Sequence, residues 1–213
     1  MAADSTSGPS ATATVPGRDP PFYDNLELSL AEAWLILADA VGNLGNAFHQ
    51  PVLATLGLDG APRARVVVLR GVEPECPGLR FHTDLRTGKW PELLRQPRAQ
   101  VAAYDARSKI QLRLSGEASL HAQDDPIAAE AWSRTGRHSR QGYRVRQAPG
   151  SQLEAPPQAD FQADLGPECG RENFAVVQLR LSRIEWLYLS AAGHRRAGFD
   201  WDGQRWQGAW LVP

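Results

Sequence analysis

The chain has little of several features that would place it in a specialised class of protein. Only Cys76 and Cys169 are cysteines among its 213 residues, so we expect no disulfide framework and predict a reducing, cytoplasmic location. The longest apolar stretches, such as residues 33–37, are too short to span a bilayer. The formal net charge is −1, so no overall field draws the chain to nucleic acid or to an anionic membrane.

Signals for catalysis by a metal or by a serine nucleophile are also missing. The five histidines show no metal-ligand spacing, so no metal is expected, and no G-x-S-x-G elbow is present. The first residues lack a positive start and an apolar core, so we do not expect a secretory signal. What remains is an ordinary globular composition, with 42% hydrophobic and 22% charged residues.

Composition divides the chain into a tail and one domain. Residues 1–21 are rich in Ser, Thr, Ala, Gly and Pro, which predicts a disordered tail before a single domain at 22–213. Residues 148–172 hold four prolines and three glycines, and we interpret them as a long loop within that domain.

Hydrophobic patterns predict many short strands and few helices. The capping box Ser29-Leu30-Ala31-Glu32 predicts a helix that runs to about Val41. Further helices are expected at 87–95 and 124–134. Strands are expected at about 50–58, 62–72, 79–83, 98–104, 109–120, 173–182, 184–190, 195–201 and 204–211. This alternation favours an antiparallel barrel.

Two segments carry residues that bind anions. In 61–72, Arg65 and Arg70 flank the apolar run 66–69, which we interpret as a core strand buried on both faces. The simpler alternative is that both arginines are salt-bridged surface residues. The next segment is predicted to leave its strand at Asp84 and to enter a helix near Thr87, where backbone N–H groups attract anions. Positive charge and hydroxyls surround that point: Thr83, Arg86, Thr87 and Lys89.

The order of these motifs resembles a known family. Arg65-Val66-Val67-Val68-Leu69-Arg70 is followed by Phe81-His82-Thr83-Asp84, by Lys89, and by Gln111 ahead of Ser115-Gly116-Glu117-Ala118. The chain ends in the spacing W-x4-L-x-P, at Trp206, Leu211 and Pro213. This set is similar to the pyridoxamine 5'-phosphate oxidase-like FMN-binding split barrels, over roughly residues 48–147 and 173–213.

The resemblance implies a fold, a cofactor and a partner. The fold would be mainly β, a six-stranded antiparallel split barrel with flanking helices. It would form a homodimer with FMN at the subunit interface. The residues implied for FMN are Arg65, Val66, Val67, Arg70, His82, Thr83, Arg86, Thr87 and Lys89, with Gln111 and Gln147 facing the flavin ring. A simpler interpretation of Gln111 is a solvent-facing amide.

A basic segment at 134–146 has three open interpretations. It could be a solvated helix face, or it could bind RNA, although no aromatic stacking pattern accompanies its arginines. The resemblance instead places it at a substrate pocket, where Arg134 and Ser139 match positions that hold a substrate phosphate. Arg195 and Arg196, in a later hairpin, are the other residues expected to contact substrate.

Several substrate-side positions depart from the true pyridoxamine 5'-phosphate oxidases. Ala131 stands where they use a tyrosine, Ala148 where a serine follows the second glutamine, Leu187 where a tryptophan packs, and Gly198 where the final arginine falls. The His194-Arg195-Arg196 hairpin is similar to a separate subgroup of the family. We therefore expect an FMN-dependent oxidoreductase that acts on a small, anionic substrate. The alternatives are a non-catalytic flavin carrier or sensor, and a true pyridoxamine 5'-phosphate oxidase with a rebuilt pocket.

Overall fold

A computed structural model describes residues 19–156, 166 and 168–213 of the chain. Almost all of the tail predicted at 1–21 lies outside these residues, as do 157–165 and 167 of the loop predicted at 148–172. The described part of that loop before residue 157 contains neither helix nor strand. No helix in the described ranges is long and apolar enough to cross a membrane.

The described residues form four α-helices and nine strands. The helices are α1 (Leu26–Gly42), α2 (Lys89–Arg95), α3 (Pro126–Arg134) and α4 (Arg137–Arg140). The strands are β1 (Val52–Leu56), β2 (Pro62–Val66), β3 (Leu69–Glu73), β4 (Gly78–Asp84), β5 (Arg98–Asp105), β6 (Ile110–Ala122), β7 (Phe174–Tyr188), β8 (Arg195–Trp201) and β9 (Trp206–Leu211).

All nine strands belong to one antiparallel sheet in which β7 is central. The order is β2-β1-β5-β6-β7-β4-β3, and β8 pairs with both β7 and β9. One edge of β7 pairs with β6 along nearly its whole length. The other edge pairs first with β4 and then with β8, so the sheet divides along β7. The predicted mainly-β, antiparallel split barrel with flanking helices is confirmed, with nine strands here rather than six.

Alternating apolar side chains of the central strands fill the barrel. Leu112 and Leu114 of β6 and Ile184 and Trp186 of β7 are completely buried. Helix α1 covers one end of this core with small and aliphatic residues such as Leu37. A second, smaller cluster lies where α3 packs on the first half of β7: Ala128, Ala131, Trp132, Phe174 and Val176.

Gly116 of β6 lies where the backbones of β6 and β7 approach closely, and this approach requires a glycine. The pairing of β6 with β7 shifts register between Ser115 and Gly116. A Cβ atom added to Gly116 would lie 2.0 Å from the carbonyl oxygen of Arg180. No side chain fits at that distance, so this bulge can form only at a glycine.

Two strand predictions were wrong in their continuity. The strand expected at 62–72 is interrupted after Val66, where the backbone N–H of Val67 donates to Pro51 instead, at 2.9 Å. Val66 is 61% exposed, so the run 66–69 is not buried on both faces. Conversely, the two strands expected at 173–182 and 184–190 are one strand, β7, because a bulge absorbs the break in pattern.

The first helix begins earlier than its capping box indicated. Asn25 is the N-cap of α1, and its side chain accepts a hydrogen bond from the backbone N–H of Leu28. The hydroxyl of Ser29 lies inside the helix and bonds the carbonyl oxygens of Phe22 and Asn25, at 2.9 and 2.8 Å. Ser29 is therefore satisfied locally without acting as a cap.

Candidate functional site

A lysine, two threonines and an arginine converge at the end of β4. The ammonium of Lys89 donates to the hydroxyl of Thr83 at 2.9 Å and to that of Thr87 at 3.0 Å. The intervening turn is local, because the N–H and the hydroxyl of Thr87 both donate to the carbonyl of Asp84, at 3.1 and 2.7 Å. We call Arg65, Thr83, Thr87 and Lys89 the phosphate cradle.

The side chains, rather than a helix terminus, give the cradle its charge. Helix α2 has only seven residues and begins at Lys89, two residues later than predicted, so the argument from backbone N–H groups at a helix start does not hold. Burial, and then the nearby charge of Arg65, lower the pKa of Lys89. Among the described residues no carboxylate lies within ion-pairing distance of Lys89. An anion placed here would accept from a donor whose acidic neighbours, Asp84 and Glu92, act only from beyond ion-pairing distance.

Arg65 joins the cradle through a buried carboxylate that sequence reasoning missed. Its Nη2 atom lies 2.7 Å from Oε2 of Glu92, and its Nη1 atom bonds the hydroxyl of Thr55. The Thr55 hydroxyl in turn donates to Glu92 Oε2 at 2.6 Å. The salt-bridge alternative for Arg65 is therefore realised. A guanidinium has five N–H donors, so this anchoring fixes one edge of the group and leaves others for a ligand.

A second group of cations lies on the opposite face of β4 from Thr83. Arg70, Arg80 and His82 form this cationic patch. Burial, then Arg70 and Arg80, lower the pKa of His82 to about 4, so it is neutral near pH 7. Neither arginine has a carboxylate partner among the residues that the structure describes, and Arg80 Nε is buried without a hydrogen bond there. Sequence reasoning missed Arg80, although alternation along β4 puts it on the face of His82.

Arg86 braces a loop rather than offering a free charge. It pairs with Asp84 through contacts of 2.6 and 3.0 Å, and Asp84 raises the pKa of the guanidinium. The same side chain donates to the carbonyls of Val145 and Arg146, at 3.0 and 3.2 Å. This ties the segment that carries Gln147 to the end of β4, and Gln147 itself is exposed.

The remaining cofactor residue and two substrate residues lie at the other end of β7. Thr83 pairs in register with Ala175, whereas Gln111 pairs with Leu187. Arg195 and Arg196 pair with Tyr188 and Leu187. Twelve residues of β7 separate these two positions, about 40 Å of strand path. Along β7, Gln111, Arg195 and Arg196 therefore lie at the end away from Thr83 of the cradle.

The arginines at that second end already have acidic partners. Arg195 pairs with Asp24 at 2.7 Å and lies 3.9 Å above the ring of Tyr23. Arg196 pairs with Glu185 at 2.7 Å, and Arg183 and Arg113 contact the same carboxylate at 3.2 and 3.3 Å. Hydrogen bonding from Arg196 is the main reason that the pKa of Glu185 is lowered.

The two substrate residues from the basic segment lie on the surface near the second cluster. Arg134 ends α3 and pairs with Glu130 at 2.9 Å, and Ser139 is exposed on α4. Arg140, the residue after Ser139, stacks over Trp132, with its guanidinium carbon 4.6 Å from the ring centroid. The solvated-face interpretation describes their present contacts, and binding of substrate stays a prediction.

Comparison with known proteins agrees with the fold and identifies the family. Residues 32–122 match the family model described as the pyridoxamine 5'-phosphate oxidase FMN-binding domain. A pyridoxine/pyridoxamine 5'-phosphate oxidase of Thermosynechococcus vestitus is 30% identical over 200 residues, covering 89% of this chain and 91% of that protein. Pyridoxine/pyridoxamine 5'-phosphate oxidase 2 of Arabidopsis thaliana is 30% identical over 144 residues, covering 64% and 72%.

Two solved structures share the fold. A pyridoxamine 5'-phosphate oxidase-related, FMN-binding protein of Nostoc punctiforme superposes with a TM-score of 0.72 at 24% identity, over 91% of this chain and 98% of that one. PhzG of Burkholderia lata, in complex with tetrahydrophenazine-1-carboxylic acid, gives 0.67 at 21% identity, over 92% and 98%.

Together the antiparallel split barrel and the match to the family model define a flavin-binding class of protein. The chain belongs to the pyridoxamine 5'-phosphate oxidase-like family of FMN-binding proteins. Its cofactor is FMN, and the cradle fits this group because Lys89 is half-buried, charged and without a carboxylate partner among the described residues.

Proposed function

We propose that the protein is an FMN-dependent oxidoreductase that acts on a small anionic substrate as a homodimer. The observation that carries this proposal is the pairing state of the cations at the first end of β7. Lys89, Arg70 and Arg80 lack carboxylate partners among the described residues, and they lie on the two faces of one strand end. A dianionic cofactor group would pair with the cation on one of these faces, and a substrate anion would pair with the cations on the other.

In this proposal each residue has a limited role. Arg65, Thr83, Thr87 and Lys89 bind the cofactor phosphate, and Glu92 fixes the guanidinium of Arg65. Bound FMN supplies hydride or single-electron transfer, so no protein nucleophile is required. Neutral His82 packs its ring against Phe174, with centroids 5.0 Å apart, and presents a polar edge without adding charge. Arg70 and Arg80 attract the substrate anion.

The positions of Gln111 and the cradle along β7 support a homodimer. Thr83 and Gln111 lie at opposite ends of that strand, so we infer that each flavin contacts them from different chains. In a symmetric dimer, the second end of one protomer can meet the first end of its partner. Each FMN would then contact a cradle from one copy and Gln111 from the other.

The preference for an anionic substrate agrees with the relatives. Their names specify phosphorylated pyridoxine and pyridoxamine, and the ligand of PhzG is a carboxylic acid. The substituted position Ala131 is buried in the second cluster, which also includes Tyr143. Burial raises the pKa of Tyr143 to about 12, and Arg70 lies near enough to oppose that change. The phenol of Tyr143 therefore lies beside the cationic patch, although it comes from a different position in the sequence than Ala131.

Titration of FMN into apo-protein tests the cradle. Removing one charged hydrogen bond costs about 1.5–3 kcal/mol, so Arg65→Ala or Lys89→Ala should weaken FMN binding about ten- to a hundred-fold. The matched control is Arg63→Ala, on the same strand, whose exposed side chain pairs only with Asp59 at 2.7 Å. Equal affinities in Arg65→Ala, Lys89→Ala and Arg63→Ala would show that the cradle is assigned wrongly.

Mixing two defective variants tests the shared site. A mixed dimer of Lys89→Ala and Gln111→Ala chains contains one site in which both residues are intact, and one in which both are lost. Exchange of subunits should therefore restore tight FMN binding to one of the two sites. If binding in the mixture is the average of the two parents, each site lies within one chain.

Reduction and reoxidation of the loaded protein test the activity. We expect reduction by a nicotinamide cofactor or by substrate, followed by reoxidation with oxygen or another acceptor. Oxidation of pyridoxamine 5'-phosphate should be slow, because loss of two charged contacts at about 2 kcal/mol each lowers kcat/KM by roughly a thousand-fold. Turnover near 1 per second at micromolar KM, on the ordinary enzyme scale, would instead identify a true oxidase with a rebuilt pocket.

A flavin carrier or sensor is the second candidate, favoured by the departures at Ala131, Leu187 and Gly198. Such a protein would bind FMN with the same dependence on Lys89 but would show no turnover with any reductant.

The two free cysteines, Cys76 and Cys169, suit the reducing cytoplasm in which we place the protein.

A further inference from the structure

A serine, a histidine and an aspartate form a hydrogen-bonded chain at the end of β6. The hydroxyl of Ser119 lies 2.9 Å from Nε2 of His121, and Nδ1 of His121 lies 2.9 Å from Oδ2 of Asp125. The carboxylate can only accept, so Nδ1 carries the proton and Nε2 is left to accept the serine proton. This is the order of contacts that activates a serine nucleophile.

Local structure fixes each member of this group, which we call the serine relay. Ser119 and His121 are two residues apart on one strand and therefore share a face of β6. Asp125 is the N-cap of α3, and its Oδ1 atom accepts from the backbone N–H of Ile127 at 2.8 Å. The cap leaves Oδ2 for the histidine. Hydrogen bonding from His121 is the first cause of the lowered pKa of Asp125, so the carboxylate is charged at neutral pH.

The nucleophile of the relay opens onto a cavity. Ser119 lines a space of about 390 Å³ together with Gln178 and Arg180. This volume lies in the range of small-molecule sites. Gln178 is the direct cross-strand neighbour of Ser119, so its amide donor extends from the same face as the hydroxyl. Arg180 adds a positive charge, and the carboxylates of Glu73 and Glu117 line the same cavity. Gln178 and Arg180 can stabilise an oxygen that becomes negative during attack at a carbonyl.

We propose that Ser119, His121 and Asp125 form an acyl-transfer site that hydrolyses small carboxylic esters, separate from the flavin site. The Ser119 oxygen bonds the ester carbonyl carbon while its proton passes to His121 Nε2. The bond to the leaving alcohol then breaks, and the alcohol takes that proton. Water attacks the acyl-serine with His121 as base, the Ser119 oxygen leaves and recovers a proton, and the carboxylic acid departs.

The relay shares no residue with the cradle or the cationic patch, although Gln178 of its cavity also pairs in register with Arg80 of the patch. His121 and His82 both pair with Val176, on opposite edges of β7, so two strand spacings of about 10 Å lie between them. Ser119 is exposed, so water enters freely and catalysis should be modest, limited to esters with good leaving groups. Failure of flavin binding would leave this proposal intact, and failure of the relay would leave the proposed flavin site intact.

A fluorophosphonate probe and p-nitrophenyl acetate test the relay in the full-length protein. We expect one covalent adduct, mapped by mass spectrometry to Ser119, and ester hydrolysis that is lost in Ser119→Ala. His121→Gln should slow both reactions about 100-fold, the usual contribution of a general base. The matched control is Ser182→Ala, an exposed strand serine whose hydroxyl bonds only the carbonyl of Ser115, at 3.3 Å.

Asp125→Asn separates a positioning role from simple helix capping. Asparagine caps a helix as well as aspartate, so the melting temperature should stay near that of the wild type. Its amide would donate to His121 Nδ1, which forces the wrong tautomer and removes the acceptor for the serine proton. Adduct formation should therefore fall at least tenfold in a variant that keeps its fold.

Three results would overturn the proposal. They are an adduct at another residue or none, hydrolysis by Ser119→Ala at the wild-type rate, and labelling of Asp125→Asn at the wild-type rate. The second would show that His121 reacts directly with activated esters, and the third that Asp125 only caps α3.

Discussion

Arginines lie near both ends of β7, but the two ends differ in how these arginines are paired with acidic residues. At the first end, Arg70 and Arg80 flank neutral His82, and none of the three has an acidic partner among the described residues. At the second end, Arg196 and its neighbours share the carboxylate of Glu185, and Arg195 is paired with Asp24. At the first end Arg65 and Arg86 are also paired, but Lys89, Arg70 and Arg80 have no ion-pair partner among the described residues, whereas at the second end the arginines just named are all paired.

This difference shows why a count of basic residues does not identify a binding site. Arg70, Arg195 and Arg196 were all candidates on sequence grounds. What matters is whether each cation has a carboxylate partner, and strand register decides which residues meet. A cation without such a partner can bind a ligand, whereas a paired cation stabilises the fold. The four predictions below address this contrast, from the largest expected effect to the smallest.

Disturbing the bulge in the pairing of β6 with β7 should have the largest effect. Gly116→Ala would place a methyl group 2.0 Å from a backbone oxygen, which β6 and β7 can relieve only by separating. We expect a loss of at least about 3 kcal/mol of unfolding free energy, measured by denaturant titration. Gly142→Ala is the control, since nothing lies within 4 Å of its added Cβ. Similar losses in both variants would mean that the bulge is not a point of strain.

His82 should make stability sensitive to acid. Its pKa falls from the ordinary 6.5 to about 4 on folding, so between these values the unfolded chain binds a proton that the folded chain does not. Stability is therefore full above pH 6.5 and declines as the pH falls to 4, by about 2–3 kcal/mol. His82→Phe, which keeps a ring against Phe174, should flatten this decline. His138→Gln, an exposed histidine, should not.

Glu92 should hold the cradle together in the absence of ligand. Glu92→Gln leaves Arg65 beside Lys89 with no carboxylate between them. We expect about 2 kcal/mol of destabilisation, less than for a fully buried pair because 24% of the Arg65 side chain is exposed. Thermal melts with and without FMN provide the measurement. FMN should stabilise Glu92→Gln more than it stabilises the wild type, and an equal increase would argue against shared electrostatics.

Removing an arginine at the second end should have the smallest effect. The Arg195–Asp24 pair is exposed, and solvent and salt screen such pairs. Arg195→Ala should therefore lower stability only slightly, even with the loss of its contact with Tyr23. Denaturant titration at low and high salt provides the check. A loss comparable to that of Glu92→Gln would erase the contrast between the two ends.

Local sequence was enough to predict the architecture and the centre of the cradle. Strand and turn patterns gave the mainly-β class, and the turn from Asp84 to Lys89 depends on contacts within six residues. It was harder to predict where a strand would be interrupted and where two predicted strands would form one. The interruption after Val66 depends on a backbone bond to Pro51, and the continuity of β7 depends on Gly116 in another strand.

The partners that complete each site could not be predicted, because they meet across strands. Glu92 and Thr55 reach Arg65 from α2 and β1, far from it in sequence. The serine relay needs the connection from β6 into α3 to place Asp125 beside His121. The alternation of Ser119 and His121 was visible in the sequence, but nothing there indicated that a helix cap would lie within reach of the ring.

The central position of β7 has a consequence for the order of assembly during synthesis. Strand β4 pairs with residues 174–180, more than ninety positions later, so His82 meets Val176 only when most of the chain has left the ribosome. Until then β4 has only its hairpin partner β3, and its other edge is open to wrong pairings. Such distant pairing also slows folding. The end of β4 that carries Thr83 therefore gains its second strand partner late, only when β7 emerges.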